Sequence, residues 1–278
     1  MNKIISLLLV TCAFSACKPK NNYLNLIEND LKKANLKGRV KKVVSNLSDN
    51  RRFIYEYNTE GFLVRTIDSN FQTEVVNVCD YKYDFSENTT YATRSEDGKP
   101  MWEDISKYDD KGNLVEVNSS GISKWIYTYD DKNRKKEKRA FGGGVLGSKE
   151  SWEYKPDGSS VSVEFDEQKH YKKSEIIETD SSSVLSLFDT TGITRAMWVY
   201  KKDKAGKTVY HEVWEYGKLS NWSKHFYNQY GDEVMIIAFS TNENKTDTLA
   251  SEYTYDKMGN WKSVKGKYGT NNREVTYW

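Results

Sequence analysis

One local pattern recurs down the chain and limits what it can fold into: a four-residue turn that opens on a polar residue and closes on Gly or Asn. The closing residues are Gly61, Gly112, Asn133, Gly158, Gly192, Gly206, Gly231 and Gly259, and all but one copy follow an aromatic residue, as in Tyr127-Thr128-Tyr129-Asp130-Asp131-Lys132-Asn133. The exception has Lys202 in that place, and Tyr81-Lys82-Tyr83-Asp84 starts a further copy that lacks its glycine. Asp or Asn at the first position hydrogen-bonds the backbone that follows it. Gly at the fourth takes up the left-handed conformation, and Asn133 is the best substitute. A type I turn followed by such a residue makes a hairpin loop with a bulge. Repeated hairpins, not helices, are what this pattern encodes.

The strands on either side fit the same reading. Tyr55 and Tyr57, Tyr127 and Tyr129, and Tyr253 and Tyr255 stand two apart, so each pair shares one face of its strand. Intervening residues such as Glu56, Lys82, Thr128 and Glu153 are polar. One face should be an aromatic ladder and the other wet. Asn133 to Gly158 and Gly206 to Gly231 are each 25 residues apart, the length of a pair of strands with their turns, as expected of an array whose units need neighbours. At roughly 12 residues per strand and turn, the region holds on the order of 20 strands. An open sheet beyond about ten strands curls or splits. The expected fold is therefore all-β: an antiparallel meander of repeated hairpins, as a curled sheet or an open barrel or shell. A β-propeller is the alternative, disfavoured because the units are hairpins and not four-stranded blades.

The run Tyr253-Thr254-Tyr255-Asp256-Lys257-Met258-Gly259-Asn260-Trp261, like Tyr127 to Asn133, resembles the repeat unit of RHS/YD-repeat proteins. The resemblance extends over roughly residues 39–278. Large members of that family wrap such hairpins into a shell around a toxin cargo, but this chain has no evident cargo region. It looks more like small lipoproteins with degenerate YD-like repeats. That resemblance implies a fold and no set chemistry, and it brings in immunity towards RHS-type toxins as one functional reading.

The amino terminus has its own signature. Lys3, the apolar run Ile4 to Val10, and Ser15-Ala16 are the three parts of an export signal, too short to span a bilayer. Phe14-Ser15-Ala16-Cys17 resembles the lipobox of bacterial lipoproteins, with Phe14 where that family usually has Leu. The resemblance implies cleavage before Cys17 and acylation of that residue, and several acyl chains hold a protein stably to a membrane. Lys18 after the cysteine implies sorting to the outer membrane, facing either the periplasm or the outside. The expected organisation is a signal peptide over residues 1–16, a lipidated Cys17, tether and short helix over 17–37, and the repeat domain over 38–278. Cys79 is then the one remaining thiol of the mature chain, so the fold is held without a disulfide.

Composition excludes more than it suggests. Lys and Arg number 42 against 40 Asp and Glu, and the two signs interleave, so no face for nucleic acid stands out. Gly142 to Gly147 satisfies the spacing of a dinucleotide loop, but an aromatic strand follows it where a helix is needed, and it reads as an inter-hairpin loop. His170, His211 and His225 lack metal-ligand spacing, and no Ser/His/acid set is identifiable. No cofactor, metal or catalytic residue is expected. Of the eight tryptophans, Trp222 in Ser220-Asn221-Trp222-Ser223 has the most polar surroundings and is the candidate for stacking on a ligand. The leading functional reading is a membrane-anchored, non-catalytic binding or scaffold module of the cell envelope with a protein or glycan partner. Glycan capture and an envelope hydrolase are the alternatives.

Overall fold

In the computed structural model, which describes residues 30–278, one short helix precedes twenty-one strands in a single antiparallel sheet. The helix, α1 (Asp30–Lys33), leads into β1 (Val40–Asn46). Each strand pairs with the next in sequence, from β1 and β2 (Arg51–Tyr57) through β3 (Leu63–Asn70) and β4 (Val75–Asp84) onward. Near the end β17 (Glu233–Ser240) pairs with β18 (Lys245–Ala250). Past Ser251 the same run continues as β19 (Glu252–Tyr255), which pairs with β20 (Trp261–Gly266). The last strand, β21 (Gly269–Tyr277), pairs with β20 and also with β1, Val40 facing Tyr277 and Val43 facing Val275. The meander thus returns on itself as a nearly closed barrel, and the blade architecture of a propeller is absent among the described residues.

Seven of the eight repeated turns build one rim; the eighth, Asp189 to Gly192, joins β13 (Ser182–Phe188) to β14 (Thr194–Lys202) and lies on the other. In all eight copies the closing residue has φ between 65° and 89°, and its N–H donates to the carbonyl of the opening residue, as from Gly112 to Asp109 at 3.0 Å. In seven of them the opening side chain also accepts two further N–H groups. Asp130 Oδ1 takes those of Lys132 (3.0 Å) and Arg134 (2.8 Å), and Asn228 Oδ1 those of Tyr230 (2.9 Å) and Asp232 (3.1 Å). Lys155 opens the eighth copy and cannot do this; there Asp157 takes the N–H of Ser159 at 2.9 Å instead. The copy without glycine closes one residue later, on Asn88 at φ 50°, and Asp84 accepts the N–H groups of Ser86 and Glu87. The opposite rim carries, besides the Asp189–Gly192 copy and four-residue loops at 71–74, 167–170 and 241–244, tighter turns whose two central residues both have positive φ: Asp97-Gly98, Ser120-Gly121, Gly143-Gly144 and Tyr216-Gly217. That is the two-residue geometry matched to strand twist, and it accounts for the glycine run at 142–144.

The tyrosine that precedes a turn reaches back to the previous repeated hairpin. Tyr129 donates to Leu114 O (2.8 Å), Tyr227 to Thr208 O (2.8 Å) and Tyr83 to Leu63 O (2.9 Å), each acceptor lying two residues past a closing glycine. Tyr255 donates to Asp232 Oδ2 at 2.7 Å, and Tyr277 to Asp256 Oδ2. These hydroxyls buckle one repeat to the next.

The tyrosines face the concave side. Arg273, half-buried there, interacts with Asp232, Asp256, Tyr57 and Tyr277, groups from both sides of the β1/β21 closure that converge only inside a curved wall. Helix α1 seats on the same face: Leu31 packs with Val40, Val43 and Tyr57, and Asp30 accepts from the Tyr83 hydroxyl and the Leu63 N–H. The residues after it are tied to the rim by Asn260, whose side chain bonds Lys37 N, Lys37 O and the Tyr277 hydroxyl, each at 2.8 Å.

The faces are more mixed than an aromatic ladder opposite a wet face. The concave side also carries Asp68, Arg94, Asp104, Glu150 and Glu164, and fully buried apolar residues gather only around α1. The convex side has an ion-paired half and an apolar half. In the first, Lys42, Glu56, Arg65 and Asp80 follow one another across four strands, with Lys42–Glu56 at 3.1 Å and Arg65–Asp80 at 2.5 Å. Lys107 and Lys124 flank Glu116 in the same way, and Arg139 and Lys149 flank Glu137. In the second, Val161, Ile177, Val184 and Val199 line up across the ladder. A barrel this wide cannot fill its lumen with side chains, which is why so few residues are buried.

Candidate functional site

Two arrangements stand back to back on β15 (Thr208–Glu215), β16 (Lys218–Tyr227) and β17, one on each face of the wall. The alternation of side chains along β16 separates them: Trp222 and Lys224 point outward, Asn221, Ser223 and His225 inward.

Outside, the ladder register sets Trp222 opposite Phe239 and Glu212, with Tyr210 and Glu212 on the same face of β15. The three rings form a row, Tyr210 to Trp222 at 6.3 Å between centroids and Trp222 to Phe239 at 5.8 Å, with interplanar angles of 28° and 22°. At these separations such small tilts make an offset stack, each ring facing the next. Glu212 braces it by accepting from the Tyr210 hydroxyl (2.8 Å) and from Trp214 Nε1 (2.9 Å). Lys201 lies over the Tyr210 ring and Lys224 over Trp222, at 5.2 and 5.7 Å from the centroids. Trp222 is half-buried in this row, whereas Trp278 at the end of β21 is 51% exposed.

Inside, Ser223 Oγ lies 2.8 Å from His225 Nε2, and His225 Nδ1 lies 2.6 Å from Glu233 Oε2. An ionised carboxylate only accepts, so Nδ1 carries the proton. In a neutral ring Nε2 is then the acceptor for the serine hydroxyl. Directly across the ladder from Ser223 stands His211. Its ring stacks on Tyr200 at 4.6 Å, and its Nε2 is buried without a partner among the described residues. Burial, with His225 nearby, pushes its pKa down and holds it neutral. Ser223 and His225 open on a hollow of about 380 Å³ whose wall includes Asn221, Ile236, Ala238, Ser240 and Asp247.

Sequence alone missed this set. Ser223 and His225 are two apart on a strand, which is legible, but Glu233 joins them only through the hairpin between β16 and β17 and its register shift at Phe226/Tyr227. The third histidine, His170, sits in a turn at φ 57°. Cys79 is half-buried on the wall of a second hollow with Asp68, Asn77, Arg94 and Trp102. Of the turn residues, Gly61, Gly112, Asn133, Gly158, Gly206, Gly231 and Gly259 lie on one rim and Gly192 on the other; Gly231 closes the turn that leads into Glu233, and Cys17 lies outside the described residues. No group of three His, Cys, Asp or Glu side chains is set to hold a metal among the described residues.

No family model matches the chain, and no curated protein does. Solved structures similar to it include a porin-like protein from Bacteroides uniformis, at 11% identity and a TM-score of 0.36 over 86% of this chain and 98% of that one. A porin-like protein from Bacteroides vulgatus is similar at 9% identity and a TM-score of 0.34 over the same shares. The Photorhabdus luminescens Tc holotoxin pore is similar at 11% identity and a TM-score of 0.21, over 78% of this chain and 15% of that one.

Proposed function

We propose that the chain is a lipid-anchored binding module of the bacterial cell envelope that takes a glycan on its convex face. The row Tyr210–Trp222–Phe239 carries the reading. The end faces and edges of such a ring stack offer apolar surface to sugar rings, and the charged groups at its margins, here Lys201, Lys224 and Glu212, satisfy hydroxyls. The ion-paired half of the outer wall supports anchoring by acyl chains and not by the barrel itself. Lys or Arg facing the bilayer midplane costs about 2–4 kcal/mol each, and the rows at Lys42–Asp80 and Lys107–Lys124 are built for water. Attachment then falls to Cys17.

Titration with soluble oligosaccharides, followed by tryptophan fluorescence and calorimetry, tests the binding. Saturable binding that Trp222→Ala weakens at least tenfold is expected, and a panel that leaves both signals unmoved overturns the glycan reading. For the anchor, Cys17→Ser should abolish incorporation of labelled palmitate and release the chain from membranes. Unchanged labelling refutes it.

A further inference from the structure

The concave side of the same strands holds a set of groups that glycan stacking outside leaves unused. We propose that Ser223, His225 and Glu233 form a hydrolase site for short-chain carboxylic esters, opening into the lumen of the barrel. The connectivity is that of an acid–imidazole–hydroxyl relay: carboxylate on Nδ1 (2.6 Å), hydroxyl on Nε2 (2.8 Å). A third group that fixes the tautomer of the base is what separates such a relay from a chance serine–histidine contact. The adjoining hollow, about 380 Å³, is at the lower end of the range for small-molecule sites. Ile236 and Ala238 supply an apolar floor for a short acyl chain, and Asn221, Ser240 and Asp247 a polar side for the alcohol.

The reaction balances with water alone. Ser223 Oγ attacks the ester carbonyl carbon as its proton passes to His225 Nε2. The tetrahedral adduct collapses with cleavage of the carbon–oxygen bond to the alcohol, and Nε2 returns the proton to the departing alkoxide. A water, deprotonated by Nε2, then attacks the acyl-serine. The carboxylic acid leaves, and Ser223 regains its proton. Glu233 touches no substrate; it is a positioning residue that holds the imidazole in the right tautomer and stabilises the imidazolium. In a ladder the backbone N–H groups are spent on pairing, so the oxyanion needs a side-chain donor. His211 is the group the fold offers: opposite Ser223, and with an uncommitted ring nitrogen.

The test uses the full chain, a fluorophosphonate probe and 4-nitrophenyl butyrate. The probe should label Ser223, located by peptide mass spectrometry, and hydrolysis should exceed that of Ser223→Ala at least tenfold. Ser223→Ala removes one half-buried hydroxyl, and an unchanged circular dichroism spectrum shows that the barrel still folds. Glu233→Gln should lower kcat tenfold or more with KM little changed, whereas a purely structural loss lowers both labelling and melting temperature. Wild-type protein that hydrolyses the ester no faster than Ser223→Ala, with no label on Ser223, overturns the proposal. Because Trp222 and Ser223 lie on opposite faces, this outcome is independent of whether a glycan binds outside.

Discussion

Asn260, the residue after the closing glycine of the last turn, is 2% exposed and has every polar group engaged. Its N–H donates to Asp256 Oδ1 at 2.9 Å, its amide oxygen accepts from Lys37 N, and its amide nitrogen donates to Lys37 O and the Tyr277 hydroxyl. One side chain thereby joins the rim, the segment leading from α1, and the strand that closes the barrel. Asn260→Ala strands these partners away from water, and leaving a buried donor or acceptor unmade costs about 1–3 kcal/mol. The expected loss is at the upper end of that range, read from urea denaturation, with Asn260→Asp no better because it sets a second carboxylate beside Asp256. A loss below about 0.5 kcal/mol would show that water replaces the partners. Sequence gives no warning of this role. At the same place in another copy, Asn113 bonds only its own turn and Asn133, so the pattern is the same and the burial is decided by a segment 223 residues away.

At the scale of the hairpin, most of what the structure contains was legible, and for a local reason. Turn chemistry is set by the four residues that make it, so Asp109 or Asp130 states its own role. Bulges accompany it: the register shifts beside the turn at Glu56/Tyr57, Lys107/Tyr108, Thr128/Tyr129 and Thr254/Tyr255. The contacts between hairpins were only half legible. Spacing put the tyrosines on one face, but not the reach of each hydroxyl to the preceding unit. The Ser223–His225–Glu233 set and the β1–β21 closure were not legible, since both depend on register and on curvature summed over many strands. The buckle makes a separable prediction. Burial and the bond to Asp232 push the Tyr255 hydroxyl up to about 12, so it stays protonated and donates throughout the ordinary pH range. Tyr255→Phe should cost about 1–2 kcal/mol. Combined with Asp232→Ala it should cost less than the two alone, a coupling of about 1 kcal/mol in a double-mutant cycle. Strict additivity would mean that ring packing, and not the hydroxyl, ties these units together.

For the whole molecule, carboxylates repeated in the turns couple stability to acid. Asp84, Asp130, Asp157 and Asp189 are held below the ordinary carboxylate range chiefly by hydrogen bonds from their own turns. Burial opposes the shift at Asp109 and Asp256, but their hydrogen bonds outweigh it. In the unfolded chain these groups protonate near pH 3.9. As pH falls past about 5 the unfolded state therefore binds protons first, and stability declines until the folded-state values are passed. From pH 8 down to about 5 these caps contribute a constant amount. The expected record is a urea midpoint that declines slightly below about pH 6.5, where His211 protonates first in the unfolded chain, and falls steeply below about pH 4. General charge repulsion makes a similar fall, because protonating the acids leaves 42 Lys and Arg unbalanced. The chain contains the means to tell the two apart: Asn58 and Asn228 make the same pair of turn bonds without a titrating group. Replacing Asp109, Asp130 and Asp189 together by Asn keeps the acceptor and removes three of the protonation sites. If the caps govern acid unfolding, the triple variant should hold its midpoint to lower pH. If repulsion governs it, the acid limb should stay where it is, because both proteins carry the same positive charge once the acids are neutral.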